Sequence, residues 1–253
     1  MARRRFFVPE IRRGSAELTG PDAEHLVRVL RVEPGQVFEI SDNQRLYLAT
    51  VGIARKSLVT FRITEELPAP ATVVHTTLIA ALIKFDRFEW LVEKATELGV
   101  DVIQPFEAVR TEHGLAQAAT KRSKRWEKIA LEASQQSRRA HLPQIEPWVR
   151  FAQALQTEAT IRLLLDEESS APPLLSQLPH TRTPADRVAL LLGPEGGWTP
   201  EEREAAATSG WLPCSLGPTI LRAETAALAA LAVIQAAWAP LLHEPASRPP
   251  AAS

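Results

Sequence analysis

The spacing of hydrophobic and polar positions changes character near residue 70. From Phe6 to about Leu67 the chain runs in short β-rich stretches, Gln36-Val-Phe-Glu-Ile40, Arg45-Leu-Tyr-Leu-Ala-Thr-Val51 and Leu58-Val-Thr-Phe-Arg-Ile63, separated by Gly, Asp and Asn. Strand formers punctuated by turn formers predict a small β-barrel. In Leu67-Pro-Ala-Pro-Ala71 each proline fixes its own φ and pushes the preceding residue out of the helical region, which makes a stiff, extended connection. The expected domains are therefore 1–70 and 71–243, with a proline- and alanine-rich flexible tail over 244–253.

Beyond residue 70, apolar runs of strand length alternate with helical periodicity, the pattern of an α/β domain with a largely parallel sheet. Strands are expected at Val73 to Leu82, Val100 to Gln104, Ile161 to Leu165, Val188 to Leu192 and Pro213 to Leu216. Between the first two, Phe88, Leu91, Val92, Ala95 and Leu98 recur at helical spacing, with Asp86-x-x-Glu89 as the expected cap and Gly99 as the stop. Trp126, Ile129, Ala130 and Ala133 mark another helix, and both Trp90 and Trp126 are expected in the core. Asp166 to Arg187 contains four prolines and reads as a loop-rich excursion. The most apolar stretch, Ala226 to Leu242, is interrupted by Gln235 and Pro240, which predicts a buried helix rather than a membrane span.

Composition narrows the function classes. With 45% hydrophobic residues in 253, the chain has ample material for a core. Its formal net charge of -1 supplies no global pull toward nucleic acid, so any such attraction must be local. The single cysteine, Cys214, excludes an intramolecular disulfide and a multi-cysteine metal centre. A reducing cytoplasm fits, and the basic start MARRRFFVPE has no sustained apolar segment behind it to make a signal peptide.

Two segments carry candidate chemistry. In Leu191-Leu-Gly-Pro-Glu-Gly-Gly-Trp-Thr-Pro-Glu-Glu202 a buried strand ends at Leu192, a glycine-rich turn follows, and Thr199, Pro200 and Glu202 form a helix start with N-cap, first-position proline and capping-box glutamate. Glycines at 193, 196 and 197 permit positive φ and close approach by a ligand at a strand's C-terminal end. On these residues alone the alternative is a tight strand-to-helix turn. The segment has neither the Lys-Ser/Thr of a P-loop nor G-x-G-x-x-G spacing, which disfavours a phosphate ligand. The second segment, Leu216-Gly-Pro-Thr-Ile-Leu-Arg-Ala-Glu-Thr-Ala226, sets Arg222 and Glu224 ahead of an alanine-rich helix. Charges in such apolar company call for a partner, and a simple Arg222/Glu224 pair tying helix to sheet is the alternative to a catalytic role.

Together these segments resemble the SPOUT methyltransferases, and more narrowly the family that methylates N3 of a uridine in small-subunit ribosomal RNA. The resemblance extends through His25-Leu-Val-Arg-Val-Leu-Arg31, Lys84-Phe-Asp-Arg-Phe-Glu89, Lys94-Ala-Thr-Glu-Leu-Gly-Val100, Arg125-Trp126 and Glu132-Ala-Ser-Gln-Gln-Ser-Arg138. It implies a PUA-like β-barrel that binds RNA, a SPOUT α/β domain with a C-terminal trefoil knot, S-adenosylmethionine as cofactor, and a homodimer. The implied cofactor pocket falls on Leu165 and Glu167, on Leu192, Gly193, Pro194, Glu195, Gly196 and Gly197, and on Ser215, Leu216, Gly217, Thr219, Ile220 and Leu221. Departures from the family pattern are Glu112-His113-Gly114, where Glu-Arg-Ser is expected, and Thr219, where arginine is usual.

The sulfonium methyl of that cofactor is already electrophilic, so positioning and loss of the uracil N3 proton are the main demands. Arg222 is expected to stabilise the resulting negative charge and Glu224 or Thr225 to orient the base. Basic residues for RNA are expected at Arg3, Arg4, Arg5, Arg12, Arg13, Arg28 and Arg31, seven against four acidic residues up to position 31. Arg110 to Arg150 carries nine basic and four acidic residues, among them Arg138 and Arg139, and Lys84 is a further candidate. No metal is expected, at His113 or elsewhere. The other readings are a different SPOUT activity such as ribose 2'-O-methylation, and a non-catalytic RNA-binding ribosome-assembly factor.

Overall fold

The computed structural model describes residues 5–68, 73–168 and 170–239; Arg3, Arg4 and the expected tail lie outside the described residues. The chain divides into two compact units, Met1–Pro70 with Leu131–Leu142, and Ala71–Ala130 with Pro143–Ser253.

The first unit contains β1 (Arg5–Phe7), β2 (Ile11–Arg12), β3 (Ser15–Thr19), α1 (Gly20–Arg28), β4 (Val37–Ser41), β5 (Leu46–Arg55) and β6 (Leu58–Leu67). Its strands form one sheet in the order β1-β4-β5-β6-β3-β2. Where the sequence predicts a closed barrel, the hydrogen-bonded path has two ends, at β1 and β2, among the described residues. Residues Leu131–Leu142 complete this unit: the Ser41 hydroxyl donates to the Ala140 carbonyl at 2.7 Å and the Leu142 amide to Asn43 Oδ1 at 2.7 Å. Helix α1 went unpredicted. Pro21 in its first turn suits a helix start, and Ala23 and Leu26 are its buried residues, too few for a clear helical period.

The second unit holds β7 (His75–Ala81), α2 (Phe85–Glu97), β8 (Val102–Glu107), α3 (Leu115–Ala119), α4 (Ser123–Gln136), β9 (Gln144–Ile145), β10 (Val149–Arg150), α5 (Phe151–Ala154), β11 (Ile161–Leu165), α6 (Leu174–Gln177), β12 (Arg187–Leu192), α7 (Pro200–Thr208), β13 (Leu212–Cys214) and α8 (Ala223–Trp238), α4 passing into the first unit from Leu131. The sheet order is β10-β8-β7-β12-β11-β13, with β9 also on β8, and the pairings are parallel. Both faces are covered, which explains the unbroken apolar runs. Val188, Leu190 and Leu192 of β12 enter one core with α2 and α8, while Ala189 and Leu191 enter another with Trp198, Ala206 and Trp211.

Two local expectations fail. Lys84, not Asp86, is the N-cap residue of α2, without a side-chain cap. The intended capping glutamate, Glu89, instead accepts from Arg122 and Arg125 at 3.1 and 2.6 Å, and these guanidiniums hold its carboxyl below the ordinary range despite partial burial. Trp90 is 44% exposed on the outer side of α2, whereas Trp126 is buried with its ring 4.6 Å from that of Phe88. Other punctuation agrees with the fold: Gly99 ends α2 with φ +91°, and Thr199 and Glu202 form the capping box of α7.

Glu202 is 2% exposed and accepts two backbone amides, Thr199 N at 3.0 Å and Val109 N at 2.9 Å. Removing it strands both donors. Glu202→Ala should lose about 1–3 kcal/mol of unfolding free energy in chemical denaturation. Glu204→Ala, on the exposed side of the same helix, should stay within about 0.5 kcal/mol of the parent.

Candidate functional site

The register of the parallel sheet aligns three strand ends. Leu165 of β11 pairs with Leu192 of β12 on one side and with Cys214 of β13 on the other. The loops that leave these residues meet around a cavity of about 480 Å³. Its wall contains all fourteen residues that the resemblance assigns to a cofactor, from Leu165 and Glu167 through Leu192 to Gly197 and on to Leu221. Arg222 also lines it. Glu224 and Thr225 are not in the wall: Glu224 is 7% exposed with Oε2 unpartnered among the described residues, and Thr225 is exposed.

The walls are set by a few strong contacts. The indole of Trp198 donates to the Leu165 carbonyl at 2.8 Å and so fastens the glycine loop across to β11. Arg203 on α7 gathers the acidic loop after β11: its guanidinium donates to Asp166 at 2.9 and 3.0 Å, to Glu167 at 2.9 Å and to the Trp198 carbonyl at 3.0 Å. Hydrogen bonding to Asp166, then the surrounding acidic charge, raises the Arg203 pKa, so this cation is permanent. Arg87, from the first turn of α2, lines the cavity and pairs with Glu195 of the glycine loop.

The glycines serve the protein's own packing. Only Gly197 of the three has positive φ, +71°, and a Cβ there would collide with the Glu167 carboxylate. A Cβ on Gly193 would stand 2.8 Å from Trp198 Cε2, and one on Gly196 would stand 3.2 Å from Arg110 Cβ. The positive φ that glycine permits at all three positions is used only at Gly197. Each glycine makes room for a neighbouring side chain.

Burial, with a smaller contribution from the charge of Asp166, pushes the Cys214 thiol up to about 12. It stays protonated at neutral pH and is no nucleophile. Arg222 is exposed at the N-cap of α8, and among the described residues no carboxylate pairs with it, which removes the Arg222/Glu224 pair as an explanation. Sequence reasoning missed Arg87, Asp166, Trp198, Cys214, Ala223 and Ala226 in the wall. Arg87 lay inside the quoted Lys84-Phe-Asp-Arg-Phe-Glu89 run, but nothing local ties a helix's first turn to a loop 108 positions away.

Among the expected RNA-binding residues, Arg12, Arg13, Arg28, Arg31, Lys84 and Arg138 are exposed. Arg12 pairs with Glu10 at 2.8 Å, Arg28 with Glu24 at 2.7 Å and Arg138 with Glu39 at 2.6 Å. Arg139 is half-buried and donates to the His141 carbonyl at 3.1 Å. Arg5 is a correction: it is 4% exposed, bonded to Glu39 and to the Arg138 carbonyl, and so is spent inside the unit. Burial alone would raise the Glu39 carboxyl, but hydrogen bonds from Arg138 and Arg5 lower it. Of the two departures, the first has His113 exposed and Gly114 at φ +85° at the start of α3, and the second, Thr219, is exposed in the cavity wall. No helix among the described residues is long and apolar enough to cross a membrane, and no cluster there could hold a metal.

Comparison with known proteins agrees with this arrangement. Residues 70–235 match the RNA methyltransferase domain family, and residues 18–64 match the RNA methyltransferase PUA domain. The chain is 36% identical to ribosomal RNA small subunit methyltransferase E of Synechocystis, covering 93% of this chain and 78% of that one, and 33% identical to its Bacillus subtilis counterpart, covering 86% and 88%. Among solved structures, ribosomal RNA small subunit methyltransferase E from Neisseria gonorrhoeae bound to S-adenosyl methionine superposes with a TM-score of 0.83 at 30% identity, covering 94% of this chain and 98% of that one. A putative methyltransferase from Legionella pneumophila in complex with the same cofactor gives a TM-score of 0.84 at 29% identity, with the same coverage. With its PUA-like first unit and a matched domain spanning most of the second, the chain belongs to the ribosomal RNA small subunit methyltransferase E family of RNA methyltransferases.

Proposed function

We propose that this chain transfers a methyl group from S-adenosylmethionine to N3 of a specific uridine in 16S ribosomal RNA. The observation that carries the reading is the cavity: the two segments on which the resemblance rests, residues 192–197 and 215–222, are walls of one space beside three strand ends. Its volume of about 480 Å³ suits a nucleoside joined to an amino acid. Gly217 lines it with φ +128° and nothing within 4 Å of where a Cβ would stand, so the wall is a cradle that a side chain would fill. The cofactor supplies an electrophilic methyl group when bound. Leu165 and Leu192 offer the apolar wall, and the backbone at Gly193, Gly196 and Gly197 offers polar groups without side chains of its own in the way.

Arg222 meets the negative charge that spreads over N3, O2 and O4 of uracil as the proton leaves, its planar guanidinium matching two acceptors at once. Cys214, protonated and buried, supports direct attack by the ionised base rather than a cysteine adduct at carbon 5. Glu224 or Thr225 is read as orienting the base; Thr225 is exposed, whereas Glu224 is buried outside the wall. The C-terminal chain is read as a trefoil knot. In support, the Ser215 amide donates to the Pro172 carbonyl at 2.8 Å, and the Asp166 amide donates to the Cys214 carbonyl at 2.9 Å, so the excursion after β11 flanks the end of β13 on two sides. Arg12, Arg13, Arg28, Arg31, Lys84, Arg138 and Arg139 are read as phosphate contacts, the domains as 1–70 and 71–243, the partner as ribosomal RNA or the small subunit, the assembly as a homodimer and the compartment as the cytoplasm.

Arg222→Lys should lower the single-turnover rate on the order of 100-fold or more, with RNA and cofactor affinities within a few fold. The defect should partly recover at higher pH, where N3 ionises unaided. A mutant that loses S-adenosylmethionine binding yet keeps its rate at saturating cofactor would return Arg222 to the pocket wall. For the RNA face, the double variant Arg13→Gln/Arg31→Gln should flatten the slope of log affinity against log salt by roughly one unit per lost contact. An unchanged slope means that these arginines only face solvent. Light scattering should give twice the chain's mass, and a monomer at working concentration would refute the dimer.

A further inference from the structure

A loop rich in glycine is costly to hold in one shape, because glycine loses the most conformational freedom on ordering. The segment Gly193 to Gly197 needs support from outside. Trp198 and Glu195 supply two tethers, to Leu165 and Arg87. The third comes from the turn after β8, where Arg110 donates to the Gly196 carbonyl at 2.7 Å. That turn is itself stiff: the Thr111 amide donates to the Ala108 carbonyl at 3.1 Å, and the Ala108 amide to the Thr111 hydroxyl at 3.0 Å. It is also anchored to the start of α7, through Val109 N on Glu202 at 2.9 Å. Arg110 does not line the cavity. Its stem lies flat on Gly196, with Cβ and Cδ 3.2 and 3.3 Å from where a Cβ on that glycine would stand. Gly196 is not among the positive-φ glycines, so a side chain there meets no left-handed strain, and the crowding comes from Arg110.

We propose that Arg110 is a positioning residue for the cofactor site: it locks the glycine loop from the outer side, so that the backbone lining the cavity is in place before the cofactor arrives. Position 196 is glycine because of Arg110 rather than because of the ligand. The inference rests on reading the cavity as the cofactor site. A loop ordered in advance binds more tightly because less freedom is lost on association, while the chemical step is untouched. Arg110 therefore acts on affinity, not on rate.

The test is a double-mutant cycle on the full-length protein, read by calorimetry with S-adenosylmethionine and by single-turnover methylation at saturating cofactor. Arg110→Ala should weaken cofactor binding about three- to tenfold, the range for loss of one exposed, charge-assisted hydrogen bond, with the saturated rate within about twofold. Arg110→Lys should recover part of the affinity, since an ammonium still reaches the carbonyl but lacks the planar fork. Gly196→Ala should weaken binding several-fold in the parent and clearly less in the Arg110→Ala background, because that variant removes the Cδ and Cγ contacts at 3.3 and 3.8 Å and keeps only the Cβ contact at 3.2 Å. An equal cost of Gly196→Ala in both backgrounds would overturn the inference, as would an Arg110→Ala defect confined to the saturated rate. Ala226→Trp, which fills the cavity from α8, separates the two levels. If it leaves affinity unchanged while the protein stays folded, the cofactor reading of the cavity falls, and this inference with it.

Discussion

The parallel register of β11, β12 and β13 is the constraint on which the rest depends. Because Leu192, Leu165 and Cys214 are lateral neighbours, three chain segments distant in sequence leave the sheet at one level and in one direction. A parallel sheet buried on both faces cannot slip by one residue without exchanging the two apolar sets of β12. The position of the cavity is thus fixed by core packing, and its polar surface is left to backbone and to loop side chains. The loops need not be stable by themselves.

How those loops are kept in shape is an electrostatic matter, and the arginines divide by it. Arg203 is committed to the acids after β11 and to the Trp198 carbonyl; Arg87 and Arg110 each take hold of the glycine loop. Arg5 is likewise committed, inside the first unit, to Glu39. Arg222 differs from all of these. It stands exposed at the N-cap of α8, in the wall of the cavity, with no carboxylate neutralising it among the described residues. A cation kept out of the internal network remains able to answer charge that appears on a substrate, whereas one already paired would first have to be released.

The strands at Ile161 to Leu165 and Val188 to Leu192, the capping box of α7 and the apolar helix α8 were legible in the amino-acid order because each is a local matter. A run buried on both faces, a helix start with Thr, Pro and Glu at fixed offsets, and an alanine-rich stretch all carry their reason within a few residues. The cavity's backbone walls were legible for a related reason: Gly-Pro-Glu-Gly-Gly and Leu-Arg-Ala-Glu-Thr-Ala concentrate unusual residues where strands end.

What the order of residues could not convey was decided by which distant groups meet. Helix α1, with only two buried residues, gave too short a period to be read. Glu89 looked like a cap until two arginines of a later segment claimed its carboxylate, and Trp90 looked like core until the fold turned its side of α2 outward. The expected barrel depended on whether β1 and β2 would meet, which no strand pattern specifies, and they do not pair. By itself the sequence determined the layered α/β order, the glycine turn at a strand end and the family to which those motifs point. Only the tertiary structure decided that Gly193 and Gly196 yield space to Trp198 and Arg110, that Arg5 is spent and that Arg222 is not. Hydrogen bonds and van der Waals exclusion act over a few ångströms of space, and the residues concerned are separated by many tens of positions along the chain.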